Sequence, residues 1–220
     1  MSPQNPLDSE TLWICSSCSI TLENTRVKEL IDTLENECQS LPPEKSHYES
    51  QVAKLKDILH PNHNLILDLE FSLCQMYGRE RLDTQAEMVA DGLKKRDICL
   101  HLLEVMDAVT PGMFRMRGMV LFDLYVVSMF LLKSGTNPRL TSWWKSGTGD
   151  QRSDPGKKMS QLEVKSELEV MQDVLRESAD ILGFEPPDSI EGKRAKTART
   201  NVNYITDMIV NINIELNGGK

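Results

Sequence analysis

The stretch LHPNHNLILDLEFSLCQMYG, residues 59–78, constrains the fold more than any other part of the chain. Leu65, Ile66, Leu69, Leu73, Met76 and Tyr77 recur at three- and four-residue spacing, and Leu67, Phe71 and Cys74 widen the apolar face. A helix apolar round so much of its girth is stable in water only if neighbours cover it on several sides. His60-Pro61-Asn62 reads as its start, because proline suits a first turn and asparagine can cap one, and Gly78 reads as its stop. One interior helix therefore demands a layer of others around it.

The rest of the chain supplies them. From Asn24 the residues Val27, Leu30, Ile31 and Leu34 share one helical face, with Asn24 or Thr25 as the expected cap. After Pro42-Pro43, a second helix repeats Tyr48, Val52, Leu55 and Leu59, and a short link would set it antiparallel to the first. Residues 88–106 turn Leu93, Ile98, Leu102, Val105 and Met106 inward before the break at Thr110-Pro111-Gly112. Residues 116–132 form a second strongly apolar helix that stops at Lys133-Ser134-Gly135. Leu162, Leu168, Met171, Leu175, Ile181 and Leu182 mark another, and after Pro186-Pro187 the last carries Val202, Ile205, Met208, Ile209 and Ile212.

This makes about seven helices with no sustained two-residue alternation, hence an all-α fold of antiparallel hairpins in a bundle or short solenoid. No clean repeat of the roughly 34 residues of an intact tetratricopeptide array is visible. Residues 134–159, rich in Gly, Ser, Thr, Pro and charge, are expected to be a flexible loop. Residues 1–22 lack a helical period and are expected to be extended and loop-rich.

At 220 residues, 40% of them hydrophobic and 26% charged, the chain suffices for one good core or two small ones. A net charge of −8 argues against general affinity for nucleic acid, which needs a gathered basic surface. The start MSPQNPLDSE is polar and acidic, unlike a secretory signal. Residues 119–132 are too few for the roughly 20 that cross a bilayer and include Asp123, so no membrane association is expected. Five cysteines, an odd number with one close pair, fit a reducing compartment, cytoplasmic or nuclear.

That close pair is Cys15-x-x-Cys18. Two thiolates at this spacing grip a tetrahedral zinc ion from one turn, but a structural site needs four ligands and the chain offers no second pair. Half a zinc site, a redox pair and a chance spacing are the readings open, and a thioredoxin-type redox pair would want a βαβ context that is not seen. Cys38, Cys74 and Cys99 stand singly on helical segments and are expected to pack as small hydrophobes. His60 and His63 are better suited to capping and turn packing than to a metal, and His47 and His101 to structural or surface roles. No nucleophile elbow or glycine-rich phosphate loop is present, so no catalytic residue is assigned. Lys193-Arg194-x-Lys196-x-x-Arg199 reads as a solvated helix end before it reads as a nuclear address or partner contact. Trp143-Trp144 either folds back on the core or binds a partner.

Two of these segments carry a resemblance. LHPNHNLILDLEFSLCQMYGRERL resembles the start of the C-terminal helical domain of the SET and MYND domain (SMYD) family, especially its arthropod SmydA branch. Pro6-Leu7-Asp8 followed by Trp13-x-Cys15-x-x-Cys18 resembles the cysteine-rich tail that follows the SET domain there. The resemblance implies a post-SET-like tail at 1–22 and a tetratricopeptide-like helical domain at 23–220. It implies a parent protein that moves methyl groups from S-adenosylmethionine to protein lysine, with Cys15 and Cys18 as half of a zinc site completed by upstream cysteines. The SET and MYND parts, which hold cofactor and substrate, are then expected before residue 1. This chain alone is expected to be inactive and to engage protein partners or a protein substrate as one wall of the cleft. The alternative is a stand-alone helical interaction module, a scaffold or adaptor.

Overall fold

A computed structural model describes residues 2–5, 7–8, 10–15, 18–79, 82–146 and 159–218. Three short strands, β1 Ser2–Pro3, β2 Leu12–Ile14 and β3 Thr21–Glu23, precede the helices. These are α1 Asn24–Gln39, α2 Lys45–Lys56, α3 Asn64–Met76, α4 Gln85–Val109, α5 Arg115–Lys133, α6 Leu140–Ser146, α7 Gln161–Leu182 and α8 Ile190–Gly218. The fold is mainly helical, as the periodicity predicts. Among the described residues there are eight helices rather than about seven, the addition being α6, inside the stretch expected to be loop. The rest of that expected loop, residues 147–158, lies outside the described residues.

The N-terminal tail is extended as expected, but it pairs into a three-stranded antiparallel sheet of order β1-β2-β3. Trp13 faces Pro3 on one side and Leu22 on the other. Pro3, which has no N–H to give, sits on an edge strand, where it costs least. Strands of two and three residues are below the length at which alternation registers in a sequence.

The chain divides into two compact units, Met1–Leu69 and Glu70–Lys220, the division falling within α3. In the first unit β3 runs straight into α1. The Trp13 indole N–H donates to Asn24 Oδ1 (2.9 Å), so the amide expected to cap α1 anchors the sheet instead. Glu23 holds the N-cap position without a side-chain bond. Glu37, near the end of α1, accepts from Lys54 Nζ and from Gln51 Nε2 (3.2 Å) on α2, and these bonds hold its carboxyl below the usual range. At the entry to α3 the histidines cap as expected: His60 Nδ1 accepts the Asn62 N–H (3.1 Å) and His63 Nδ1 the Leu65 N–H (3.3 Å). The helix therefore begins at Asn64, past the Pro61-Asn62 start read from the sequence. It ends at Met76, and Gly78 just beyond takes a φ of 82°, the left-handed stop that glycine permits.

In the second unit α5 is the packing centre. It lies against α4, α7 and α8, α7 also packs on α8, and α6 rests on α7. Leu121, Leu124 and Leu131 of α5 are wholly buried, as are Leu168, Met171, Leu175 and Leu182 of α7. The α5–α7 approach is close at Gly118, where a Cβ would stand 2.8 Å from Leu182 Cδ2 and 2.9 Å from Ile181 Cγ2. Ser178, also buried, donates its hydroxyl to the Gly118 carbonyl (2.7 Å). Both α4 and α7 open on reciprocal capping boxes, Thr84 with Glu87 and Ser160 with Glu163.

Candidate functional site

Cys15 closes the β2–β3 ladder. Its N–H donates to the Ile20 carbonyl (2.9 Å) and its carbonyl accepts the Ser19 N–H (2.9 Å), while Ser19 takes a left-handed φ of 59° to turn the chain. Cys15 is half-buried and Cys18 exposed, so both expected metal ligands belong to one hairpin turn. A tetrahedral zinc site takes four such donors. Among the described residues no group of three or more His, Cys, Asp or Glu side chains gathers to hold a metal. Cys15 and Cys18 by themselves supply two of the four donors of a complete zinc site.

The other cysteines stay away from this turn. Cys38 is half-buried, and burial pushes its thiol up. Cys74 and Cys99 are fully buried with their sulfurs 3.3 Å apart, a pairing across α3 and α4 that their separate sequence positions do not reveal. The hydrogen bond with Cys74 and burial push the Cys99 thiol well up, which keeps it an inert packing group.

The basic run expected just before the last helix lies within it, near the start of α8. Arg194 reaches the buried Asp123 (Nη1 to Oδ2, 3.4 Å) and lies over the Phe122 ring, while Arg199 Nη2 donates to the Ala179 carbonyl in the last turn of α7 (3.3 Å). The solvated reading suits Lys193, Lys196 and Arg199, which are exposed, and fails for Arg194, which is half-buried. Asp123 also accepts from Gln75 Nε2 (2.9 Å) and Lys95 Nζ (3.5 Å), so this carboxylate ties α3, α4 and α8 to α5. His101 Nδ1 meets the buried Glu70 carboxylate at 2.7 Å, a structural role as expected.

The tryptophans are presented by a built element. Asn137 Oδ1 accepts the Arg139 N–H (2.7 Å), and Leu140, wholly buried, starts α6. Glu167 of α7, 4% exposed, then accepts the Leu140 N–H on Oε2 (2.7 Å) and the Thr141 N–H on Oε1 (3.2 Å). The first N–H groups of a helix lack internal partners and carry its positive dipole end, so a carboxylate suits them.

Held this way, α6 leaves Trp143 half-buried and Trp144 40% exposed, with ring centroids 5.7 Å apart and planes inclined by 55°. The two indoles share a cavity of about 410 Å³ with Glu104 and Asp107 of α4 and Arg117 of α5. Arg117 is engaged already: its Nε–H donates to Glu177 Oε1 (2.7 Å) and its Nη1 to the Asp107 carboxylate. Burial pulls its pKa down, but these two carboxylates outweigh burial and raise it. Glu104 is exposed and has no hydrogen-bond or ion-pair partner among the described residues. The sequence flags the tryptophans and gives no sign of their acidic neighbours, which arrive from a different helix.

No helix of the described residues is long and apolar enough to cross a membrane. Comparison with protein-family models, with curated proteins and with solved structures gave no match. A functional reading therefore rests on the residues themselves.

Proposed function

We propose that this chain is the post-SET-like tail and C-terminal helical portion of a SMYD-like protein-lysine methyltransferase. In this reading its helices form a protein-binding wall, and the S-adenosylmethionine site and catalytic groups belong to parts outside it. The observation that carries the reading is the Cys15–Cys18 hairpin turn directly ahead of a run of helices, two thiol donors where a zinc site needs four. Cys15 and Cys18 would hold the metal together with two upstream cysteines, and the metal's role would be to staple the tail. The compartment is cytoplasmic, nuclear or both.

Metal analysis of two proteins tests this: the 220-residue chain, and a longer product carrying its upstream coding sequence. The chain alone should lose zinc to a chelator at neutral pH and show no calorimetric binding of S-adenosylmethionine. The longer product should retain one zinc that Cys15→Ser releases. Chelator-resistant stoichiometric zinc in the chain alone, or upstream sequence without a SET domain, would overturn the reading.

A second reading, a stand-alone interaction module, is favoured by the Trp143–Trp144 cavity, since exposed aromatic residues beside a concavity are common at protein-recognition sites. Upstream sequence without a SET domain would leave this reading standing.

A further inference from the structure

The Trp143–Trp144 cleft holds the parts of a cation receptor. The two indoles are inclined at 55° rather than stacked flat, and both line the same cavity. The cation–aromatic pairs among the described residues fall elsewhere, on Tyr77, Tyr204 and Phe122, and leave both indoles without one. Within the cavity Glu104 and Asp107 stand against Arg117, two negative charges to one positive, and Glu104 is the carboxylate with nothing to pair. An adjoining depression, also about 410 Å³, shares Asp107 and Arg117 and adds Glu177 and Asp180. Across both, four carboxylates face one guanidinium.

The chemistry narrows the occupant. Tryptophan gives the strongest cation–π face, and such faces favour alkylated ammonium groups. An unmodified lysine ammonium is compact and strongly hydrated, so it gives up water reluctantly. The acidic track past the cleft suits an occupant with further positive charges rather than a small free cation.

We propose that Trp143, Trp144 and Glu104 form a recognition site for an N-methylated lysine side chain on a basic segment of a partner protein, with Glu177 and Asp180 facing its flanking cations. This inference rests on the cleft alone and stands whether or not the chain belongs to a methyltransferase.

The test uses the full chain, ¹⁵N-labelled, and follows its three tryptophan indole N–H signals by NMR. A short Lys/Arg-rich peptide with one central trimethyllysine should shift the Trp143 and Trp144 signals saturably. Trp13, bonded to Asn24, serves as the internal control and should not move. The same peptide with unmodified lysine, or with an uncharged tert-butyl isostere, should bind about tenfold more weakly, as should Glu104→Gln and Trp144→Leu with the methylated peptide. Both substituted residues are exposed, so circular dichroism should confirm an unchanged fold.

Equal binding of the uncharged isostere would reduce the cleft to an apolar one, and equal binding of unmodified lysine would remove the methyl preference. Free tetramethylammonium binding as tightly as the peptide would make the site one for small cations. Indole signals unmoved by millimolar peptide, or an affinity untouched by Glu104→Gln, would overturn the proposal outright.

Discussion

The interaction that presents the tryptophan cleft can be broken at one side chain, Glu167. Replacing it by leucine keeps the bulk but leaves the N–H groups of Leu140 and Thr141 without their acceptor. An unsatisfied buried donor costs about 1–3 kcal/mol, and Thr141, being only half-buried, recovers part of that from water. Relief from holding a carboxylate in the interior offsets a further share. The net loss expected is therefore about 1–3 kcal/mol for Glu167→Leu. Glu167→Gln keeps one acceptor oxygen, enough for the Leu140 N–H, but leaves the half-buried Thr141 N–H to water and gives up the charge assistance, for a loss of about 1 kcal/mol. A seven-residue helix has no stability of its own, so α6 should release locally before the unit unfolds. Two readouts separate these events: tryptophan emission without denaturant for release of α6, and urea unfolding by far-ultraviolet circular dichroism for the whole. Glu167→Leu should red-shift the emission and lower the urea midpoint, with Glu167→Gln between it and wild type. An unmoved emission in Glu167→Leu, or a glutamine variant as damaged as the leucine one, would refute the argument that acceptor geometry holds α6.

The remaining predictions concern packing and pH. Gly118→Val should cost about 1–3 kcal/mol in urea unfolding, because its Cβ would meet Leu182 and Ile181 below 3.0 Å at the α5–α7 approach. Gly92→Ala should stay within about 0.5 kcal/mol of wild type, since its nearest neighbour is the terminal Leu131 Cδ2 at 3.2 Å and the gain in helix propensity, about 1 kcal/mol, offsets the squeeze. A tolerant Gly118→Val would refute the close approach. Burial lowers the His63 pKa below its unfolded value near 6.5, so the unfolded chain takes up the proton first as pH falls. The contribution of His63 is thus complete above that value and is lost as pH drops through the folded-state pKa. His63→Asn keeps an acceptor for the Leu65 N–H and should flatten the change in urea midpoint between about pH 7 and pH 5. An identical slope in both proteins would remove His63 from the account.

What a sequence shows of this fold depends on how far apart the cooperating residues are. The cores of α3, α5 and α7 follow from local spacing, and Gly78 and Gly135 stop their helices with the positive φ that glycine permits. Thr84-x-x-Glu87 and Ser160-x-x-Glu163 are equally local, and either pattern places a helix start that the apolar periodicity leaves vague. The strands are legible only as extended tail, because two or three residues contain too little alternation to count. Asn24 reads as a cap by type, yet its partner is an indole eleven residues away. Glu167 looks like one more solvated acid on α7 until α6 is laid across it, and Glu104 gains meaning only beside the tryptophans. The site residues the sequence offered, Cys15 and Cys18, do share a turn, but the remaining ligands of such a site would have to be supplied from outside the described residues.

The placement of the buried polar groups in the second unit bears on how sharply the cleft is defined. Its core is largely aliphatic, with leucine the commonest residue and valine next, and apolar side chains of this kind can repack if one helix slides against another. Apolar burial alone changes little under such a slide, whereas a hydrogen bond is lost outright. Asp123 joins α5 to α4 and α8, Ser178 joins α7 to the backbone of α5, Glu70 joins α3 to α4, and Glu167 joins α7 to α6. The α4–α5, α5–α8, α5–α7, α3–α4 and α6–α7 pairs thus each carry a directional bond that one alignment satisfies and a shifted one breaks. The cleft draws its walls from α4, α5 and α6, so its shape depends on alignments set by these bonds rather than by the fit of the core. The same buried carboxylates are then what keep two indoles and a lone glutamate facing one space.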